Sequence, residues 1–124
     1  MNTHNARPSV LLVAFVLAIL AGVSGFTQPK GATVTVKGEA VDLWCYMEGG
    51  DRGPAKKECA TACAKAGNSI GIVDSSGTVF LVSGLKDHQP ARDILIGKMN
   101  EPVEVTGTLV KKGGAQMIFV NSVK

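Results

Sequence analysis

The amino-acid sequence predicts a small all-β barrel with inserted helices, preceded by an export leader. Two observations carry the fold class. From Thr33 onward, short runs of alternating apolar residues recur between turns rich in glycine. Two segments among them switch to helical spacing. A third observation bounds the size: with the leader set aside, roughly 100 residues remain, enough for one small core.

The leader is read over residues 1–25. A polar start carrying Arg7 precedes an apolar run from Val10 to Val23, and Ser24 and Gly25 follow. That order of charged, apolar and small residues is the pattern of a secretory signal peptide, with the cut expected between Gly25 and Phe26. The protein is therefore expected to be exported, to the periplasm or the exterior. If the leader stays uncleaved, residues 10–26 become an inner-membrane anchor, although the run is shorter than the ~20 residues that span a bilayer. No cysteine follows the run, which argues against a lipid-modified N-terminus.

Residues 26–32 form a polar linker with Pro29 and Gly31, and the folded domain is expected over 33–124. A long first strand is predicted from Ala32 to Met47. Its alternation changes phase: Val34 and Val36 share one face, and Val41, Leu43, Cys45 and Met47 the other. Gly38 lies between the two sets, as at a bulge or at a break into two short strands. Glu48 to Gly53 reads as a loop. A helix then runs from Pro54, placed where its missing N–H costs nothing, to Gly67, a favourable terminator. Ile70–Val73 and Thr78–Val82 flank the turn Asp74-Ser75-Ser76-Gly77. A short second helix is expected within Asp87–Met99, with Ile94, Leu95 and Met99 as its apolar side. A last hairpin joins Val103–Leu109 to Met117–Val123 through Lys111-Lys112-Gly113-Gly114.

Five strands with a helix bridging the third and fourth is the order of an OB-fold, a five-stranded Greek-key barrel. The residues VKGEAVDLWCY, GIVDSSGTVFLV and PVEVTGTLVKKGGAQMIFVNSV resemble the strands of small exported bacterial OB-fold proteins. The helix CATACAKAG is an addition to the minimal pattern. The block from GEAVDLWCYM through CATACAKAG to IGIVD also resembles a group of short exported bacterial proteins, a resemblance that implies no activity.

The functional lead is the stretch from Val41 to Gly67. It holds all three cysteines, the only tryptophan and the only tyrosine. Cys59 and Cys63 are four apart on the predicted helix and share a face, while Cys45 is placed on the inward face of the first strand. All three sulfurs can converge. Three readings stand open. A disulfide from Cys45 to Cys59 or Cys63 would staple helix to barrel, as small exported domains often require. A bridge within the helix is disfavoured, because residues four apart hold their Cβ atoms about 5–6 Å apart and a disulfide wants about 3.8 Å. Alternatively, two or three thiolates bind a soft ion such as copper, with Met47 or His88 as further ligands. Zinc fits less well, since its closed sites carry tighter spacing and a clear fourth ligand. A redox pair is the third reading, although the C-x-x-C spacing is missing.

A separate possibility is a binding module for a peptide, glycan or small ligand. Asp42, Trp44 and Tyr46 would share the strand face opposite Cys45 and form its surface. The chain carries +3 at neutral pH, and loss of Arg7 leaves twelve basic residues against ten acidic. That balance, the short basic pairs and the expected export argue against nucleic acid as a partner. A monomer is expected. No serine–histidine–acid set, phosphate loop, catalytic carboxylate pair or haem motif is visible, which argues against an enzyme.

Overall fold

A computed structural model describes residues 29–124. The leader expected over 1–25, the anchor over 10–26 and most of the linker lie outside the described residues. Five strands close into a barrel in the order β1-β2-β3-β5-β4: β1 Ala32–Asp42, β2 Ile70–Asp74, β3 Val79–Gly84, β4 Pro102–Lys112 and β5 Ala115–Val123. Neighbours are antiparallel except β3 and β5, which run parallel.

Strand β1 is long enough to serve two partners. Ala32–Glu39 pair with β4, and Gly38–Asp42 pair with β2. The register with β4 runs unbroken through Gly38 and the register with β2 begins there, so the bulge expected at Gly38 is not formed. The shift falls instead in the β4–β5 pairing, between Thr106 and Gly107. The barrel core is made by inward residues of every strand, among them Val36, Ile72, Val82, Val105 and Ile118. Leu95 and Met99 plug it from the segment between β3 and β4, where only Arg92–Leu95 (α3) is α-helical and Ile96–Lys98 continue as a 3₁₀ turn.

The principal correction concerns the end of the first strand. β1 stops at Asp42, and Leu43–Gly49 form a helix, α1. The physical cause is a pair of caps. Asp42 is in extended conformation and its Oδ1 accepts a hydrogen bond from the Cys45 N–H at 2.9 Å. Gly50, at φ 71°, turns the chain left-handed and returns its N–H to the carbonyls of Cys45 and Tyr46. The helix start is held to the barrel by the Leu43 N–H donating to Ser69 O at 2.9 Å. The Leu43 side chain lies over Gly71, where an added Cβ would come within 2.6 Å of Cδ2. Every face assignment that treated 43–47 as a strand is therefore replaced by a helical one.

The second helical stretch matches its expectation. A 3₁₀ turn at Pro54–Lys56 leads into α2, Lys57–Ala66, which ends at a left-handed Gly67. Ala60 and Ala64 are buried against the barrel, and their small side chains let the helix axis approach closely.

Candidate metal centre

Seating α2 on Ala60 and Ala64 fixes the direction of its cysteines. Cys59 and Cys63 each precede a buried alanine by one residue, about 100° round the helix, and so flank the seated face. On α1 the same rotation separates two sides. Leu43, Trp44 and Met47 project one way, and Cys45 projects the other, toward α2. The ligand atoms of Cys45, Cys59 and Cys63 lie within 4.8 Å of one another. Cys45 and Cys63 are 3.9 Å apart at Sγ. They are half-buried, and Cys59 is exposed.

All three cysteines are free. The strand-to-helix disulfide expected from Cys45 to Cys59 or Cys63 is absent, and the 3.9 Å separation is nearly twice an S–S bond. It suits shared coordination better. Thiolate–metal bonds of about 2.3 Å hold their sulfurs about 3.8 Å apart in a tetrahedron and about 4.0 Å apart in a trigonal plane.

The surroundings set the charge. Asp42 is only 1% exposed, and its Oδ2 is buried without a hydrogen-bond partner. The Asp42 carboxylate beside the Cys45 thiol is the main reason that this thiol is pushed up to about 12, with burial and the Cys63 sulfur adding to the effect. Cys45 therefore rests as a thiol, and an ion must displace its proton. From the other side comes Lys56, whose ammonium is stabilised first by Asp51 at 3.0 Å and then by proximity to Cys59 and Cys45. The loop carrying Asp51 is itself tied down. Glu39 accepts from Arg52 Nε at 3.2 Å and from the Gly53 N–H, and Asn100 Nδ2 donates to Gly53 O at 3.2 Å.

Of the other predicted site residues, only Asp42 lies beside the sulfurs. Met47 is 73% exposed on the far side of α1. The His88 side chain is 93% exposed beside Asp87, at 3.3 Å, in the loop after β3. Asp42, Trp44 and Tyr46 do not share a strand face: Asp42 is a buried cap, and the other two sit on α1. Trp44 is 64% exposed and lines, with Leu43, Met47 and Leu81, a surface groove of about 770 Å³. Sequence reasoning missed the cap and electrostatic roles of Asp42 and the approach of Lys56. An aspartate directly before Leu43 was the available signal for the first; Lys56 had none beyond its basic neighbour. Among the described residues no helix is long and apolar enough to cross a membrane. No protein-family model, curated protein or solved structure matches this chain.

Proposed function

We propose that this is an exported, non-enzymatic protein built on an OB-fold, whose three cysteines hold a soft metal ion. The closed strand order with a parallel β3–β5 seam supports the OB assignment. One observation carries the function: three sulfurs from two helices within 4.8 Å of one another. Thiolate sulfur selects soft ions, and copper(I) is a candidate of that class. The leader composition of residues 1–25 supports export.

The test is a thiol count and metal analysis on protein purified anaerobically from its native compartment. One soft ion per chain, with all three thiols masked until it is removed, is the expected result. Loss of the ion in both Cys59→Ala and Cys63→Ala would assign it to this site. Three reactive thiols and no ion, even after incubation with copper(I), would overturn the reading.

A second reading rests on the groove beside Trp44. An exposed indole next to apolar Leu43 and Met47 suits a small ligand or peptide, with the cysteines serving only the fold. Trp44 fluorescence separates the two. The metal reading expects quenching by copper(I) through neighbouring Cys45 and no response to peptides or glycans.

A further inference from the structure

Three sulfurs, with no fourth histidine, cysteine or carboxylate donor among the described residues, constrain both the coordination number and the charge of what they bind. Resting on the metal reading above, we propose that the site takes a trivalent p-block ion, supplied as arsenite or antimonite, and holds it as a neutral tris-thiolate.

The coordination number comes first. Among the described residues, no histidine, aspartate or glutamate joins the three cysteines within 4.8 Å. Met47 projects from the opposite side of α1. Zinc would have to complete its tetrahedron with a water, as in an open site. A trivalent arsenic or antimony centre bonds three sulfurs and fills the remaining direction with its own lone pair. Its pyramid holds the sulfurs closer together than a trigonal plane does, so Cys45 and Cys63, now 3.9 Å apart, would draw together on binding.

Charge points the same way. Three thiolates with copper(I) carry two net negative charges, and with zinc one. With a trivalent ion they carry none. Asp42 accepts a hydrogen bond from the Cys45 N–H at 2.9 Å, is 1% exposed, and has an Oδ2 without a hydrogen-bond partner. An anionic complex would sit against that buried carboxylate, and like charges there are poorly screened. Lys56 offsets this only in part, because its ammonium is shared with Asp51 at 3.0 Å.

The binding step balances without an oxidant or reductant. Three bonds from arsenic to hydroxyl oxygen break, and three bonds to sulfur form. Each thiol proton leaves on a departing hydroxide as water, and arsenic stays trivalent.

The experiment uses the full chain, reduced under argon and titrated separately with sodium arsenite and with copper(I) in acetonitrile. Intact mass reads how many hydroxyls arsenic has lost, and a disulfide reagent reads the remaining thiols. One arsenic per chain, bound with loss of all three hydroxyls and all three free thiols, is expected. Asp42→Asn, which keeps the helix cap, should tighten copper(I) by about tenfold and change arsenite by less than about threefold. Copper(I) binding without arsenite binding, or arsenite held by only two sulfurs, would overturn this inference and leave the metal reading standing. Binding of neither would overturn both. Equal effects of Asp42→Asn on the two ions would remove the charge argument. The wild-type titrations decide the ion class whether or not that variant folds.

Discussion

Asp42 carries two tasks at one position. Its Oδ1 caps α1 through the Cys45 N–H, and the same carboxylate lies against the Cys45 sulfur. Substitutions separate the tasks. Asparagine caps a helix about as well as aspartate, whereas alanine does not, so Asp42→Ala should lose about 1 kcal/mol in urea unfolding and Asp42→Asn only a few tenths. A larger loss in the asparagine variant would show that the charge itself stabilises the fold. Reactivity reads the second task. The thiolate is the nucleophile, so at pH 8 iodoacetamide should label exposed Cys59 first and Cys45 last. Because Cys45 is held near 12, its labelling should keep accelerating as pH rises well beyond the ordinary thiol range. Asp42→Asn should speed Cys45 at pH 8 without changing Cys59. Mass mapping of the alkylated peptides gives the order directly.

At the scale of elements, the site exists because two helices are pinned to one end of the barrel. α2 is seated by Ala60 and Ala64, and α1 by Leu43 lying over Gly71. Gly71→Ala would place a methyl group 2.6 Å from Leu43 Cδ2 and 3.2 Å from the Phe80 carbonyl oxygen. The side chain can yield but the carbonyl cannot, so a loss of about 1–3 kcal/mol is expected, as for overpacking. Because α1 rides on Leu43, the same variant should also weaken ion binding. Unchanged binding at reduced stability would show that Cys45 is placed independently of Leu43. These elements were unequally legible. Pro54 and Gly67 announced α2 within a few residues, and the alternating runs and glycine turns announced the strands. α1 was hidden because Val41, Leu43, Cys45 and Met47 alternate as a strand would, and seven helical residues are too few to establish a rival period. Its caps, Asp42 and Gly50, were in the sequence but were outweighed by that alternation. The convergence of the sulfurs was still foreseen, since it needed only Cys59 and Cys63 on one helical face and a seat for that helix near Cys45. The absence of a disulfide was not foreseeable, because it depends on a distance between separate elements.

For the whole molecule, polar ties join the helical end to the barrel and make the site part of the cooperative unit. Lys57 pairs with Glu101, Glu39 holds Arg52 and Gly53, and Asn100, at φ 53°, donates to Gly53 O. The tie to Lys57 holds Glu101 below its ordinary 4.5, and the Ser76 and Thr78 donors hold Asp74 below its ordinary 3.8. A carboxylate with a lowered folded-state value adds stability that is complete above its unfolded value. That stability drains as pH falls through the folded one. Urea midpoints should therefore be flat in these two contributions down to about pH 5 and fall below about pH 4. Asp74→Asn should blunt the fall, and an unchanged acid profile would show that Asp74 is equally protected in the unfolded chain.

An ion held by the three cysteines would act on the same unit. An ion that binds only the native state at a hundred times its Kd adds about 2.7 kcal/mol. For a folded domain of this size that is a rise of roughly 10–20 °C in Tm. The unfolded chain retains its three cysteines and competes for the ion, so the observed rise should fall toward the lower figure. The convergence of sulfurs, however, exists only when α1 and α2 are both seated, and three-sulfur binding should stay tied to the native state. Calorimetric scans with and without a saturating soft ion should show the rise in the reduced wild type. Cys45→Ser, which leaves only the helical pair, should lose most of it. An equal rise in wild type and Cys45→Ser would mean that Cys59 and Cys63 bind the ion alone and that α1 contributes nothing to the site.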